Sequence, residues 1–248
     1  MDVIKIGGNE LDNPAFVQGL AARVAAMDTA PVIVHGGGRA IGALQEKLGL
    51  QPVKVDGLRV TDAASLEVAQ MVLSGHANKL LVTALFAAGV TAVGLSGVDG
   101  GLLRCVKKQV NGADLGYVGQ VVGVQPALVQ HLVAQGVVPV VSPISLGLDG
   151  QVYNVNADEA AAALAAALGA DLLSFVSNVP GVIDGTGQPL RRLSAARTEQ
   201  LIAAGVIRDG MVPKVRAALD GLAHGVAKAR IVDLAGLGNG GGTLFEEL

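Results

Sequence analysis

Val32-Ile33-Val34-His35-Gly36-Gly37-Gly38 is an apolar, largely β-branched run that stops at three glycines, with a helix-compatible segment, Arg39–Leu48, directly after it. Lacking a Cβ, glycine lets backbone N–H groups approach a ligand closely. At a helix N-terminus those groups and the helix dipole favour an anion. A single glycine often serves turn geometry alone. Three in succession after a buried-type strand point to an anion cradle.

The same rhythm extends along the chain. Val3–Ile6, Ala92–Leu95, Val137–Ser142, Leu172–Ser177 and Arg230–Leu234 read as further strands, nearly all uniformly apolar, as expected where helices cover both faces. Pro14–Met27, Arg39–Leu48, Ala63–Ser74, Asn78–Ala88, Pro126–Gln135, Ala157–Leu168 and Val212–His224 read as helices. Pro14 and Pro126 suit first turns, and Gly49, Gly89, Gly136 and Gly169 follow the ends as stop signals. This alternation predicts an α/β fold, a three-layer αβα sandwich with a mainly parallel central sheet. Val53–Val60 and Leu103–Val121 break the rhythm as hairpins, marked by Asp56-Gly57, Asn111-Gly112 and Gly116. Such insertions tend to overhang the carboxyl ends of the strands, where ligands bind.

Composition excludes several classes. With 51% hydrophobic and 16% charged residues the 248-residue chain supports a large core, not general disorder. A net charge of −3 gives no reason to expect nucleic acid or an anionic membrane as partner. The single cysteine, Cys105, forms no internal disulfide and points to a cytoplasmic setting. No signal segment precedes the first strand, and the alanine-rich run Ala157–Gly169 is too short to span a bilayer.

Nucleotide signatures narrow the choice further. No Gly-x4-Gly-Lys-Ser/Thr run occurs, and the first glycine cluster lacks the third glycine of a dinucleotide fingerprint. Gly236-Leu237-Gly238-Asn239-Gly240-Gly241 matches that fingerprint literally, but too few residues follow for a βαβ unit, so it reads as a flexible terminal loop. Lys5 stands in the first strand beside Gly7-Gly8, either snorkelling out or projecting toward a phosphate. Asn154-Val155-Asn156-Ala157-Asp158 opens the alanine-rich helix; capping accounts for one polar residue and leaves the others for a ligand or a cation. Lys214 begins another helix, and Arg59 ends the first hairpin, each compatible with ordinary surface or with anion binding. The histidines show no metal-type spacing and no nucleophile partner; His35 is read as bracing the glycine turn.

These runs, with Gly57-Leu58-Arg59-Val60-Thr61, Ala77-Asn78-Lys79, Gly94–Gly100, Ser177-Asn178-Val179-Pro180-Gly181 and Asp209–Lys214, resemble the amino acid kinase family, and within it the acetylglutamate kinases, nearly end to end. The resemblance implies phosphoryl transfer from ATP, carried with Mg2+, to the side-chain carboxylate of N-acetyl-L-glutamate. It places Lys5 and Lys214 on the lysines that stabilise the phosphoryl group and Asp158 on the carboxylate that organises them. Gly37 and Gly38 fall on the turn that meets substrate and phosphoryl oxygens, with Gly7 and Gly8 in a supporting turn. Arg59 falls on the arginine that grips the substrate's α-carboxylate, and Asn154 on an asparagine hydrogen-bonded to the substrate. Ser177, Asn178, Val179, Pro180, Gly181, Val182 and Ile183, with Val206, Ile207 and Arg208, fall on the nucleotide side. Asn178 departs from the aspartate frequent there. The implied organisation is an acyl-substrate and dimerisation lobe (1–170) and an ATP lobe (171–248) sharing one sheet, in a homodimer. The strand begins too early for the extra N-terminal helix of arginine-inhibited, hexameric members, so insensitivity to arginine is expected.

The chemistry agrees. A carboxylate nucleophile is already ionised at neutral pH, its reference pKa being about 4.3, so no general base is required. Charge neutralisation is required, because one anion must approach another in line. Alternatives are a kinase of carrier-linked aminoadipate or glutamate in lysine biosynthesis, a non-catalytic nucleotide or metabolite sensor, and a dinucleotide-dependent oxidoreductase. The Gly-Leu-Arg-Val-Thr run favours a free α-carboxylate over the first, and the joint presence of Lys5, Asp158 and Lys214 argues against the second.

Overall fold

The computed structural model describes residues 1–50, 54–55, 58–110 and 113–246, with backbone only at 54–55, 58–59, 110 and 113. The turn pairs Asp56-Gly57 and Asn111-Gly112 lie outside the described residues. β1 (Asp2–Ile6), α1 (Pro14–Ala25), β2 (Val32–His35) and α2 (Gly38–Lys47) come first. The small hairpin β3 (Lys54–Val55) and β4 (Leu58–Arg59) precedes α3 (Ala63–Gln70) and α4 (Asn78–Ala87). Next are β5 (Ala92–Gly97), the long hairpin β6 (Leu103–Val110) and β7 (Ala113–Val124), α5 (Ala127–Ala134), β8 (Val138–Gly147) and β9 (Val152–Val155). The remainder is α6 (Ala157–Leu168), β10 (Leu172–Ser177), β11 (Arg192–Leu193), α7 (Ala195–Ala203), α8 (Met211–Ala223), β12 (Ala229–Asp233), α9 (Leu234–Leu237) and β13 (Thr243–Phe245).

Among the described residues, eleven strands form one sheet in the order β11-β13-β12-β10-β1-β2-β8-β6-β7-β9, with β5 also paired to β8. Its centre is parallel: β12, β10, β1, β2 and β8 run together. Antiparallel pairs occur at β12–β13, β6–β7 and β8–β9. Val3, Ile4, Val32, Ile33 and Val34 are fully buried, and burying each such side chain stabilises the fold by roughly 1.5–3 kcal/mol over leaving it exposed. On one face α1 and α4 contribute Leu20, Val24, Leu81 and Leu85. On the other, α6 and α8 pack Ala161, Leu164, Ala165 and Val215. The predicted three layers are therefore present. Small alanine side chains let α6 lie close on β1 and β2.

Three features depart from expectation. Ala63–Ser74 and Asn78–Ala88 are not separate helices, because a π-helical turn, Met71–Ala77, carries α3 directly into α4. Such turns recur at functional sites, and this one sets Leu73 against Gly37 and Asn78 against His35. β5 pairs with β8 alone among the described strands, leaving Val93 exposed where full cover was expected. Gly236–Gly241 runs from a short helix into a hydrogen-bonded turn. Asp233 caps α9 by accepting from Gly236 N, Gly241 N donates to Gly236 O at 3.0 Å, and the chain returns as β13 beside β12.

Candidate active site

Topology brings the two glycine turns together. β1 and β2 are parallel neighbours, so Gly7-Gly8 and Gly36–Gly38 leave the sheet at the same edge. Gly36 N donates to Ile6 O at 3.0 Å, fixing one turn on the other. A Cβ at Gly8 would lie 2.6–2.7 Å from backbone atoms of Gly37 and Gly38, so only glycine permits this approach. A Cβ at Gly37 would meet Leu73 Cδ2 at 2.8 Å, whereas one at Gly38 would meet no protein atom within 4 Å. Gly37, the residue before α2, has no side chain with which to cap it, and a helix N-terminus is a favourable place for an anion.

His35 supports the turn from below. Fully buried, it holds Gly36 O through Nδ1 at 3.0 Å and meets Asn78 Nδ2 through Nε2 at 3.3 Å. Asn78 reaches Val140 O at 2.8 Å, so π-turn, sheet and glycine turn form one network. Burial, above all, pushes His35 down to about 4 from 6.5; the Gly36 carbonyl opposes the fall and Lys79 adds to it. The stability from a neutral His35 is then complete above pH 6.5 and lost as pH falls toward 4, roughly 3 kcal/mol in all. Thermal melts from pH 7.5 to 4.5 are expected to fall more steeply for wild type than for His35→Gln. Parallel profiles would contradict a buried neutral imidazole.

Lysines and carboxylates converge on this edge. Lys5 Nζ lies 2.6 Å from Asp158 Oδ1, the lysine 15% and the aspartate 36% exposed at their side chains. Asp158 is placed by Asn156, whose Oδ1 caps α6 by accepting from Asp158 N at 2.7 Å. Lys214, in the first turn of α8, donates to Ser177 Oγ at the end of β10. Burial pushes its ammonium below the ordinary lysine value; Glu10 and Asp158 pull it up, and Lys5 presses it down. Both lysines and Asp158 therefore share one electrostatic neighbourhood. A cavity of about 270 Å³ opens beside it, lined by Gly8, Gly36–38, Asn154 and Asn156 among others.

The remaining sequence candidates divide. Asn154 lies in β9 and lines the cavity. Arg59 is in β4, and its side chain lies outside the described residues. Ser177 is buried and meets Lys214; Asn178 and Pro180 are exposed. Val182 and Ile207 belong to the core, so they offer a ligand only backbone, while Val206 is half-buried and Arg208 exposed. Gly181 has φ 141° and presses on Thr243, whose Oγ1 accepts from Val182 N at 2.8 Å. Cys105 is buried, its thiol pushed up to about 11 chiefly by burial, and is unreactive. Among the described residues no three His, Cys, Asp or Glu gather to hold a metal.

Two site residues escaped the sequence reading. Glu10 overlies the first turn, where a Cβ on Gly7 would meet its Oε2. Lys108, in β6, lines the cavity and pairs with Glu159 Oε2 at 2.9 Å. The signal available was the pair Lys107-Lys108 in a strand, since alternation sends one of two neighbours inward.

Comparisons agree with the fold. The model of the amino acid kinase family matches residues 2–233. A Roseiflexus (strain RS-1) protein named acetylglutamate kinase is 54% identical over 245 residues, covering 99% of this chain and 93% of the relative. One of the same name from Chloroflexus aurantiacus (strain ATCC 29366) is 53% identical over 243 residues, covering 97% and 95%. The solved structure of a Giardia carbamate kinase shares the fold at a TM-score of 0.74 and 15% identity, covering 100% of this chain and 98% of that one. The chain belongs to the amino acid kinase family.

Proposed function

We propose that the chain is an acetylglutamate kinase, transferring the γ-phosphoryl group of ATP to the side-chain carboxylate of N-acetyl-L-glutamate in arginine biosynthesis. The observation that carries this reading is the Lys5–Asp158 pair at the edge where the two glycine turns meet, with Lys214 in the same field. Relatives of that name at 53–54% identity support the choice of acceptor.

In this reading a carboxylate oxygen attacks the γ-phosphorus, the bond to the β-phosphate oxygen breaks, and ADP leaves as N-acetyl-L-glutamyl 5-phosphate forms. No proton moves, because the acceptor is already a carboxylate. Lys5 and Lys214 stabilise the charge on the transferring group, and Asp158 holds Lys5 in place. Gly37 and Gly38 direct amides at the oxygens, with Gly7 and Gly8 as the lower turn. Arg59 and Asn154 hold the acceptor. The loop from Ser177 to Ile183, with Val206–Arg208, holds the nucleotide, through backbone at Val182 and Ile207. Mg2+ carried by ATP would neutralise further phosphate charge; the nearby carboxylates Asp158 and Glu10 already lie in the field of lysines, which suits an ion brought with the nucleotide.

Residues 1–170 form the acceptor and dimerisation lobe and 171–248 the nucleotide lobe, within a cytoplasmic enzyme. No helix among the described residues is long and apolar enough to cross a membrane. The half-paired β5, with exposed Val93, and the exposed Leu80 and Phe86 of α4 support a homodimer. Light scattering is expected to give twice the 24.8 kDa chain mass; a monomer at micromolar concentration would contradict this assembly.

The reaction is tested by coupled ADP release with N-acetylglutamate, glutamate and N-acetylaminoadipate offered separately. Release dependent on N-acetylglutamate is expected. Turnover confined to the aminoadipate analogue would move the chain to the lysine-pathway reading, and none with any acceptor would favour a sensor.

A further inference from the structure

Glu10 is held in place by the chain around it. It opens a 3-10 turn, Glu10–Asp12, that follows Gly7-Gly8 after one residue. Leu11 anchors this turn in the core, and Asp12 pairs with Arg39 Nε in the first turn of α2 at 3.3 Å. Asn13 N donates to Glu10 O at 3.2 Å, and the Asn13 side chain caps α1. The Glu10 side chain is half-buried and folds back over the first glycine turn, where a Cβ on Gly7 would lie 3.2 Å from its Cδ.

Sheet register sets Lys214 beside it. β1 and β10 are parallel with Ile6 opposite Val176, so Gly7 and Ser177 stand at neighbouring strand ends. Adjacent strands lie about 4.8 Å apart. Lys214 donates to Ser177 Oγ while the Glu10 carboxylate overlies Gly7, which places opposite charges above adjacent strands. Among the described residues Glu10 makes no ion pair, so it acts on Lys214 through space. Burial works most strongly against the Lys214 ammonium, and among the surrounding charges Glu10 opposes that loss before Asp158 does. Asp158 is engaged by Lys5, which itself repels Lys214. Arg216 of α8 is turned to Glu199 of α7, and Arg208 and Asp209 pair in the open before α8.

We propose that Glu10 is a positioning residue acting through Lys214: it keeps this second cation charged in the ligand-free site, as Asp158 does for Lys5. The proposal rests on the reading of Lys214 as a cation that stabilises the transferring phosphoryl group. A half-buried ammonium facing another lysine sheds its proton more readily, and an opposite charge nearby restores it. A neutral amine would stabilise no developing charge. Bound phosphates supply their own negative charge, so Glu10 matters most before ATP arrives. Its effect therefore belongs in kcat/KM for ATP, which reports the free enzyme.

Competitive labelling with acetic anhydride, which acylates only uncharged amines, reads Lys214 in the ligand-free enzyme by mass spectrometry. Glu10→Gln keeps the shape of the side chain and is expected to lower the pH of half-maximal Lys214 labelling by about one unit, with a smaller shift at Lys5. The alkaline limb of kcat/KM for ATP should move down with it, so that the loss relative to wild type grows as pH rises. Glu10→Asp should recover part of both shifts. An unmoved Lys214 midpoint, equal shifts at Lys214 and Lys5, or a loss of kcat/KM independent of pH would overturn the proposal. Labelling requires no turnover, so it reads Glu10 separately from the reaction. Wild-type enzyme inactive on N-acetylglutamate would instead overturn the underlying reading.

Discussion

Lys214→Ala is expected to lower kcat about 10²-fold to 10³-fold, the loss typical of removing one preorganised charge donor from a transition state. KM values should change little, because the lysine acts on charge that develops during transfer. The structural basis is its seat at Ser177 Oγ, half-buried, in a field set by Lys5, Asp158 and Glu10. The downward pull of burial on its ammonium adds a second signature. Deprotonation removes the charge, so wild-type kcat should fall on the alkaline side at a pH below that of an ordinary lysine, and Lys214→Ala should lack that limb. Arg59→Ala provides the contrast: a contact made equally in ground and transition states raises KM for the acceptor and spares kcat. Steady-state kinetics of both variants across pH decide the matter. A pure KM effect for Lys214 would exchange the two roles.

Gly8→Ala is expected to be the most damaging substitution among the site glycines. The added methyl would lie 2.6–2.7 Å from backbone of Gly37 and Gly38, and backbone has nowhere to go without moving a whole turn. Overpacking of this kind costs about 1–3 kcal/mol. A turn displaced by about 1 Å can cost 10²-fold in rate through lost alignment. Gly7→Ala is the internal control: the nearest atoms to its methyl are the carboxyl end of Glu10, a side chain that can swing aside. Melting temperature and kcat/KM should therefore both fall further for Gly8→Ala than for Gly7→Ala. Equal effects would mean that the turns are not mutually packed in solution.

Much of this was legible in the sequence, and the boundary of legibility has physical causes. β2 (Val32–His35), β10 (Leu172–Ser177) and α6 (Ala157–Leu168) match their sequence ranges because each is a uniform run bounded by a glycine turn or a cap. β11 and β13 span two and three residues, too few to carry a period. α7 is capped by Ser194, but its Arg-Thr-Glu-Gln centre reads as polar linker. The π-turn was hidden because Gly75 and His76 look like a break between helices. Lys5, Asp158 and Lys214 stand out by position, and the resemblance assigns their roles. That they meet is a matter of topology, since β1 sits between β2 and β10 with α6 laid across them. Glu10 carries no motif and Lys108 only the alternation of its strand; the packed turn and the bulged hairpin show where they point.

Formation of an acyl phosphate on N-acetylglutamate tests the central claim most directly. Hydroxylamine traps acyl phosphates as hydroxamates, so the enzyme is incubated with Mg-ATP, hydroxylamine and N-acetyl-L-glutamate, with unacetylated glutamate as the control. The account predicts N-acetylglutamyl hydroxamate in proportion to ADP released, and none when either ATP or the acetylated acceptor is omitted. ADP release without hydroxamate, or hydroxamate formed equally from glutamate, would contradict it.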